Sequence, residues 1–164
     1  MAEATNGEAA PANDGRRQLA INAQYVKDLS FENPRAPHSL LQPPTGVAPD
    51  LQVGVDVKAQ SLGPDVFEVI MTLKAETKLA GEIVFVAELA YGAVVSLINT
   101  PQEDIPPALM VETPRLLFPF VRNIISEVTR DGGYTPLLLS PIDFADIYRR
   151  RLAEQQQAAG PVAV

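Results

Sequence analysis

Alternating apolar and polar residues recur in this chain and restrict its fold more than any other feature. In residues 51–59 and 67–75, apolar side chains occupy every second position. Residues 19–31 share one apolar parity that only Lys27 interrupts. A period of two places every second side chain on the same face of a β-strand, whereas an amphipathic helix requires a period near 3.6. The pattern therefore predicts three strands that each bury one face.

A fourth run, residues 82–99, is apolar on both parities over much of its length. A strand of this kind is covered on both faces, either by helices of its own chain or by another subunit. The short segment 78–81 before it contains Gly81, which favours a tight turn. We therefore expect a hairpin between the third and fourth strands.

The second half of the chain has helical signals. Pro106 and Pro107 can open a helix that covers residues 108–130 and stops at the glycines 132 and 133. Pro114 and Pro119 interrupt this helix, which predicts a bend or break near Phe118. For the last helix, Ser140 is the expected cap, with Pro141 in first position and Asp143 as the capping-box acid. The order predicts an α+β fold, a four-stranded antiparallel sheet followed by a long interrupted helix and a C-terminal helix.

Three further segments lie outside these elements. Residues 1–15 are small and polar and are expected to be disordered, and residues 154–164 are expected to form a mobile tail. The domain is therefore placed at residues 16–153. Residues 32–50 contain five prolines among apolar residues and predict an extended, stiff loop that presents apolar side chains.

Composition argues against a catalyst. The chain has a net charge of −7, no Cys and a single His, His38, which we interpret as a loop residue. Without Cys there is no thiolate nucleophile or Cys-based zinc site, and the glycines form no phosphate loop. We expect no cofactor, no metal and no nucleic-acid partner. Residues 1–15 lack a secretory signal and no apolar run reaches about 18 residues, so we expect a cytoplasmic location without membrane insertion.

The apolar fraction, 46 per cent, is high for a chain of 164 residues. The broadly apolar segment 116–128 either fills the core or forms part of a subunit interface, because obligate interfaces resemble a core cut in half. We favour an oligomer.

Three motifs carry a family resemblance. Residues 25–38, YVKDLSFENPRAPH, closely resemble the hallmark segment of SecB, the bacterial protein-export chaperone family. Residues 117–122, LFPFVR, and residues 141–144, PIDF, resemble two further blocks of that family. The resemblance covers about residues 18–157.

The resemblance implies a homotetramer, a dimer of dimers, that holds unfolded precursor proteins and passes them to the SecA motor. It places a SecA-binding surface at Asp28, Glu32, Val86 and Glu88. It implies a client groove between the proline-rich loop and the last helix, with candidate residues Phe31, Leu40, Leu41, Val47, Phe144 and Tyr148. It assigns subunit contacts to the long helix, at Phe118, Phe120, Val121, Ile124 and Ile125.

Two other functions stay open from the residues. The apolar groove could carry a lipid-like small ligand, or the chain could be a SecB-like chaperone that serves a toxin–antitoxin pair.

Overall fold

Four long strands form one antiparallel sheet in the order β1-β4-β3-β2. The computed structural model describes residues 15–41 and 46–158. The strands are β1 (Gln18–Glu32), β2 (Asp50–Gly63), β3 (Val66–Leu79) and β4 (Glu82–Ile98). These bounds confirm the four predicted strands. The predicted disordered segment, except Gly15, and the last six residues of the predicted tail lie outside the described residues.

The turn between β3 and β4 confirms the predicted hairpin. Ala80 and Gly81 both have positive φ, 52° and 82°. Positive φ at both central residues is the geometry of the two-residue turn that matches the twist of paired strands.

Two bulges in β1 change which face its side chains occupy. The register shifts between Ile21 and Ala23 and again between Val26 and Asp28. Each extra residue turns the following side chains to the other face of the sheet. Tyr25 therefore lies on the face opposite that of Phe31, although the two share a parity in the sequence. The predicted single apolar face of β1 is wrong between the bulges.

The two faces of the sheet differ in cover. The face with the odd-numbered residues of β2, β3 and β4, such as Leu73 and Leu89, packs into one core with the long helix and is here called the helical face. The other, the open face, carries Thr72, Lys74 and Glu88. On the open face, β4 residues Ala90 and Val94 are only half-buried. Cover of β4 on both faces is therefore incomplete within one subunit.

The long helix begins in short turns and then continues without a break. A 3₁₀ turn (Gln102–Asp104), the single turn α2 (Ile105–Pro107) and a π-helical turn (Ala108–Glu112) lead into α3 (Thr113–Asp131). Of the bend or break predicted near Phe118, the break is wrong, because α3 continues through Pro119. The irregular turn lies upstream, where both the N–H and the hydroxyl of Thr113 donate to the carbonyl oxygen of Ala108, five residues earlier.

The last helix, α4 (Phe144–Ala158), begins later than predicted. The Asp143 carboxylate accepts the N–H of Asp146 at 3.0 Å, which is the hydrogen bond of a helix cap. Asp143 therefore takes the role predicted for Ser140, and Pro141 precedes the helix. α4 also continues to Ala158, past the residue where the tail was predicted to begin.

The proline-rich segment is not extended throughout. It contains a helical turn, α1 (His38–Leu41). Residues 42–45, with two of its prolines, lie outside the described residues.

Candidate functional site

The four residues predicted to bind SecA lie together on the open face of the sheet. Asp28 and Glu32 come from β1, whereas Val86 and Glu88 come from β4. Glu32 stands directly opposite Val86, and Ser30, between the two β1 acids, stands opposite Glu88. Because opposite residues of an antiparallel pair share a face, the three carboxylates form one surface. We call Asp28, Glu32, Val86 and Glu88 the acidic surface.

A cation that the sequence reasoning missed contacts the acidic surface. Lys74 of β3 is the register partner of Glu88, and its Nζ lies 2.7 Å from Glu88 Oε1. Hydrogen bonding and charge attraction from Glu88, with smaller contributions from Glu76 and Glu32, raise the pKa of Lys74. The alternating pattern placed Lys74 on the solvent side of its strand, but only the register places it opposite Glu88.

A second polar cluster on the open face centres on Glu68, which is only 6% exposed. Its carboxylate accepts hydrogen bonds from the Tyr25 hydroxyl, from Lys27 Nζ at 2.7 Å and from Gln60 Nε2. Tyr25 reaches Glu68 across Gly92, where an added Cβ would lie 2.7 Å from the tyrosine ring. The cluster therefore links all four strands.

The hydrogen bonds shift the acid–base behaviour of this cluster. Lys27 and then Tyr25 lower the pKa of Glu68, while the hydrogen bond to Glu68 and burial raise the pKa of Tyr25 to about 12. The Glu68 contribution to stability is present above its usual pKa and is lost as the pH falls through the lowered pKa. The stability that Tyr25 contributes to the fold is present below the usual tyrosine pKa and is lost as the pH rises through the raised pKa.

Replacing Tyr25 by phenylalanine is expected to lower the free energy of unfolding by about 1–2 kcal/mol near neutral pH, because Glu68 loses one of its donors. The deficit relative to the parent protein should shrink above the usual tyrosine pKa of 10.0. Urea titrations at several pH values and equal protein concentration measure both effects. Tyr148→Phe is the control, since the Tyr148 hydroxyl makes no hydrogen bond within residues 15–41 and 46–158. Equal losses in both variants would contradict the assignment.

An apolar groove lies on the helical face beside the edge strand β2. One part, about 680 Å³, is lined by apolar residues and is bordered by charged ones at its α4 side; the apolar lining includes Leu51, Val53, Val55, Leu138, Ile142 and Ile147. A second part, about 510 Å³, shares Leu51 and includes Val47, Phe85, Tyr134 and Leu137. We call the two parts together the β2 groove.

Arg151 attaches α4 to the strand that borders the β2 groove. Its guanidinium donates to the Val57 carbonyl oxygen at 2.7 Å and forms an ion pair with Asp56. Leu51 and Val53, at the other end of β2, are 41% and 42% exposed. The helical face of β2 is therefore covered near its middle, at Val57, and open toward its first residues, which leaves the groove.

The six predicted client residues do not form one surface. Val47 lines the β2 groove, and Leu41 is 73% exposed. Phe144 is only 1% exposed and packs edge-on against Phe118 in the core. Tyr148 lines a separate depression with Met110. Phe144 therefore supports the subunit from within and is not available at the groove surface.

The remaining two client candidates attach the loop to the end of α3. Phe31 is half-buried and stacks on Phe85 with ring centroids 5.6 Å apart. Leu40 lies against Gly133, where an added Cβ would be 3.1 Å from its methyl groups.

Asn33 and Ser39 strengthen this attachment. The Asn33 side chain donates to the Gly132 carbonyl at 3.1 Å and accepts from the Tyr134 hydroxyl at 2.6 Å. Ser39 Oγ and the same Tyr134 hydroxyl lie 2.8 Å apart. The hallmark segment therefore holds the proline-rich loop in place, a role that no local pattern indicates.

The predicted subunit contacts divide between core and surface. Val121 and Ile125 are fully buried, and Phe118 is 8% exposed, all within one subunit. Phe120 is 49% exposed and stacks on Tyr91, while Ile124 is half-buried. Leu116, in the segment predicted to fill the core or form an interface, is 50% exposed, and Val26 and Leu29 of β1 are exposed apolar residues that the sequence reasoning did not assign to an interface.

The described part of the chain offers no metal site: no group of three or more His, Asp or Glu side chains converges there. His38 is exposed. No helix among residues 15–41 and 46–158 combines the length and apolar character that a membrane span requires.

The geometry thus defines a chain with an acidic surface on one face of a sheet and an apolar groove on the other. The family model for preprotein translocase subunit SecB matches residues 12–155. This chain therefore belongs to the SecB family of protein-export chaperones, which is not an enzyme family.

Relatives and a solved structure agree with this assignment. The protein-export protein SecB of Paramagnetospirillum magneticum is 50% identical over 143 residues, which cover 87% of this chain and 91% of that protein. The SecB of Bradyrhizobium diazoefficiens is 47% identical and covers 95% and 96%. A SecB-like chaperone of Mycobacterium tuberculosis, solved in complex with an antitoxin peptide, has a TM-score of 0.58 at 18% identity and covers 76% and 90%. At that identity the last similarity concerns the fold.

Proposed function

We propose that this protein holds unfolded precursor proteins in its β2 groove and delivers them to SecA through its acidic surface. The observation that carries the proposal is the placement of the two surfaces on opposite faces of one sheet. A partner on the open face does not overlap a chain on the helical face. A client can therefore stay bound while the motor docks.

The acidic surface is suited to a basic partner. Asp28 and Glu32 are exposed, and neither has an ion pair within the described residues. Complementary charge increases the rate of encounter and excludes partners of the same sign. Val86, opposite Glu32, adds an apolar contact beside the acids.

The β2 groove is suited to extended apolar segments. Leu138 is 68% exposed at one wall, and Leu51 and Val53 are exposed at the other. Apolar contact is non-directional, so a client needs no sequence motif. Several grooves in one assembly would bind one long client with avidity. A SecB-like chaperone of the same fold has been solved with a bound peptide, the class of ligand proposed here.

Assembly as a dimer of dimers is part of the proposal. Within residues 15–41 and 46–158, β1 pairs with β4 alone, and its outer edge has no strand partner there. Val26 of this strand is exposed opposite Tyr91, on which the exposed Phe120 of α3 stacks, and these residues form an apolar patch. Leu29 of β1 and Leu116 of α3 are exposed as well. Burial of this patch between subunits would remove it from water. A mass in solution near four times 17.7 kDa supports the tetramer, and a stable monomer contradicts it.

The same proposal includes a cytoplasmic location and the absence of catalytic activity, of a cofactor and of a nucleic-acid partner. Relatives that are 43–50% identical are named as protein-export proteins, whereas the structure with the antitoxin peptide is 18% identical. General export is therefore favoured over a dedicated toxin–antitoxin role. If the protein were a small-ligand carrier, native mass spectrometry of the purified protein would show a bound ligand. We expect no bound ligand.

Glu88→Lys is expected to weaken SecA binding about tenfold or more, because the change reverses a charge at the centre of the acidic surface. Binding of a reduced, unfolded precursor should be unchanged. Calorimetric titration of both partners measures the two affinities. Glu103→Lys is the matched control, since it makes the same change of charge at an exposed residue that follows the far end of β4 from the acidic surface. Loss of both partners together would contradict separate sites.

A further inference from the structure

Lys74 is placed to compete with any basic partner of the acidic surface. Its Nζ lies 2.7 Å from Glu88 Oε1, and the two residues are direct partners in the β3–β4 register. Both side chains are about half exposed to solvent, 53% for Lys74 and 44% for Glu88. The ion pair is therefore accessible to a partner from the open face.

The other two acids of this surface make no ion pair within the described residues, although Glu32 attracts Lys74 from a greater distance. Asp28 and Glu32 lie on β1, one strand farther from β3, and make no ion pair within residues 15–41 and 46–158. Of the three carboxylates, Glu88 is thus the one that already holds a cation. A basic side chain that approaches Glu88 must displace the ammonium group of Lys74 or share the carboxylate with it.

We propose that Lys74 is an internal counterion that lowers the affinity of the acidic surface for its basic partner and makes docking an exchange of cations at Glu88. This inference rests on the proposed docking function and adds a residue that sets its strength. Exchange favours a guanidinium over an ammonium in the partner, because two parallel N–H donors bind a carboxylate better than a single point charge. The partner segment at Glu88 is therefore expected to present arginine.

Removing the competitor should strengthen binding. Lys74→Gln is expected to raise the affinity for SecA about two- to fivefold at low salt, the range set by an exposed ion pair. The gain should decrease as ionic strength rises, since salt screens exposed charges. In a Glu88→Gln background, Lys74→Gln should have no further effect, because the competed carboxylate is gone.

Two controls separate competition from a general change of charge. Lys58→Gln removes the same charge from the open face, but Lys58 lies on β2, opposite Ile70 and separated from β4 by β3. The affinity of the Lys58→Gln variant for SecA should stay near that of the parent protein. Lys74→Arg keeps the positive charge and should give no gain. Circular dichroism and solution mass verify that each variant folds and assembles like the parent protein.

The outcomes distinguish this inference from the proposed function. If the parent protein binds SecA, Glu88→Lys weakens binding and Lys74→Gln gives no gain, the competition is wrong and the docking surface stands. Equal gains in Lys74→Gln and Lys58→Gln would also overturn it, because net charge alone would then explain both. If Glu88→Lys leaves SecA binding unchanged, the docking surface itself is wrong. A gain for Lys74→Gln that vanishes in the Glu88→Gln background supports the exchange.

Discussion

Replacing Phe144 by alanine is expected to lower the free energy of unfolding by about 3–5 kcal/mol, the cost of removing a buried aromatic ring and leaving a cavity. Phe144 is 1% exposed at the first residue of α4, and its ring packs edge-on against Phe118. The ring therefore anchors α4 to the core. Urea denaturation at fixed protein concentration measures the loss.

Leu41→Ala is the matched control for this variant. Both residues were assigned to the client groove by resemblance, but Leu41 is 73% exposed. Its replacement should change stability by no more than about 0.5 kcal/mol. If Phe144→Ala cost no more than Leu41→Ala, Phe144 would not be a core residue. A variant of Leu41 that keeps its stability but binds an unfolded client less tightly would support the loop as part of the client site.

Gly132→Ala is expected to destabilise the protein by about 1–3 kcal/mol, because the added methyl group overpacks a filled site. An added Cβ would lie 2.3 Å from the Phe31 ring, which stacks on Phe85. Gly132 has a φ of −71°, so alanine meets no backbone strain there. Without the ring, the substitution would stabilise slightly by restricting the unfolded chain. Contact with Phe31 therefore decides the sign, and thermal or urea unfolding measures it.

Gly54→Ala is the control for the backbone effect. No atom lies within 4 Å of a Cβ added at Gly54, in strand β2. Its stability should be equal to that of the parent protein or slightly higher. A double-mutant cycle tests the cause, since Phe31→Ala should make the cost of Gly132→Ala much smaller. Additive losses in the double variant would contradict the contact.

Gly132→Ala also tests how the loop is held. The Gly132 carbonyl accepts a hydrogen bond from Asn33. Leu40, in the proline-rich loop, lies against the next residue, Gly133. Displacing Phe31 should therefore loosen the proline-rich loop and weaken client binding. The acidic surface, on the opposite face, should keep its affinity for SecA.

The presence of the strands was predictable because alternation is a local property. Side chains two residues apart point to the same side of any extended chain, whatever it pairs with. The runs 51–59 and 67–75 therefore lie within β2 and β3, which each end four residues later. The hairpin at Gly81 was predictable for a similar reason, since a turn with positive φ depends on a few adjacent residues.

Helix ends were less predictable. Ser140 and Asp143 can both cap a helix by residue type, and the choice depends on which carboxylate or hydroxyl reaches a free N–H. In the structure the capping residue is Asp143, whose carboxylate accepts a hydrogen bond from the backbone N–H of Asp146. Pro119 likewise lies inside α3, although the sequence alone indicated an interruption there.

Sequence by itself determined the four-stranded α+β fold, the family and the acids of the open face. Only the tertiary structure decided that two bulges turn Tyr25 to the open face, that Lys74 meets Glu88, and that Phe144 belongs to the core. The reason is physical: local periodicity specifies which residues share a strand face. Register and packing depend on contacts between residues far apart in the chain, and no short window of sequence contains both partners.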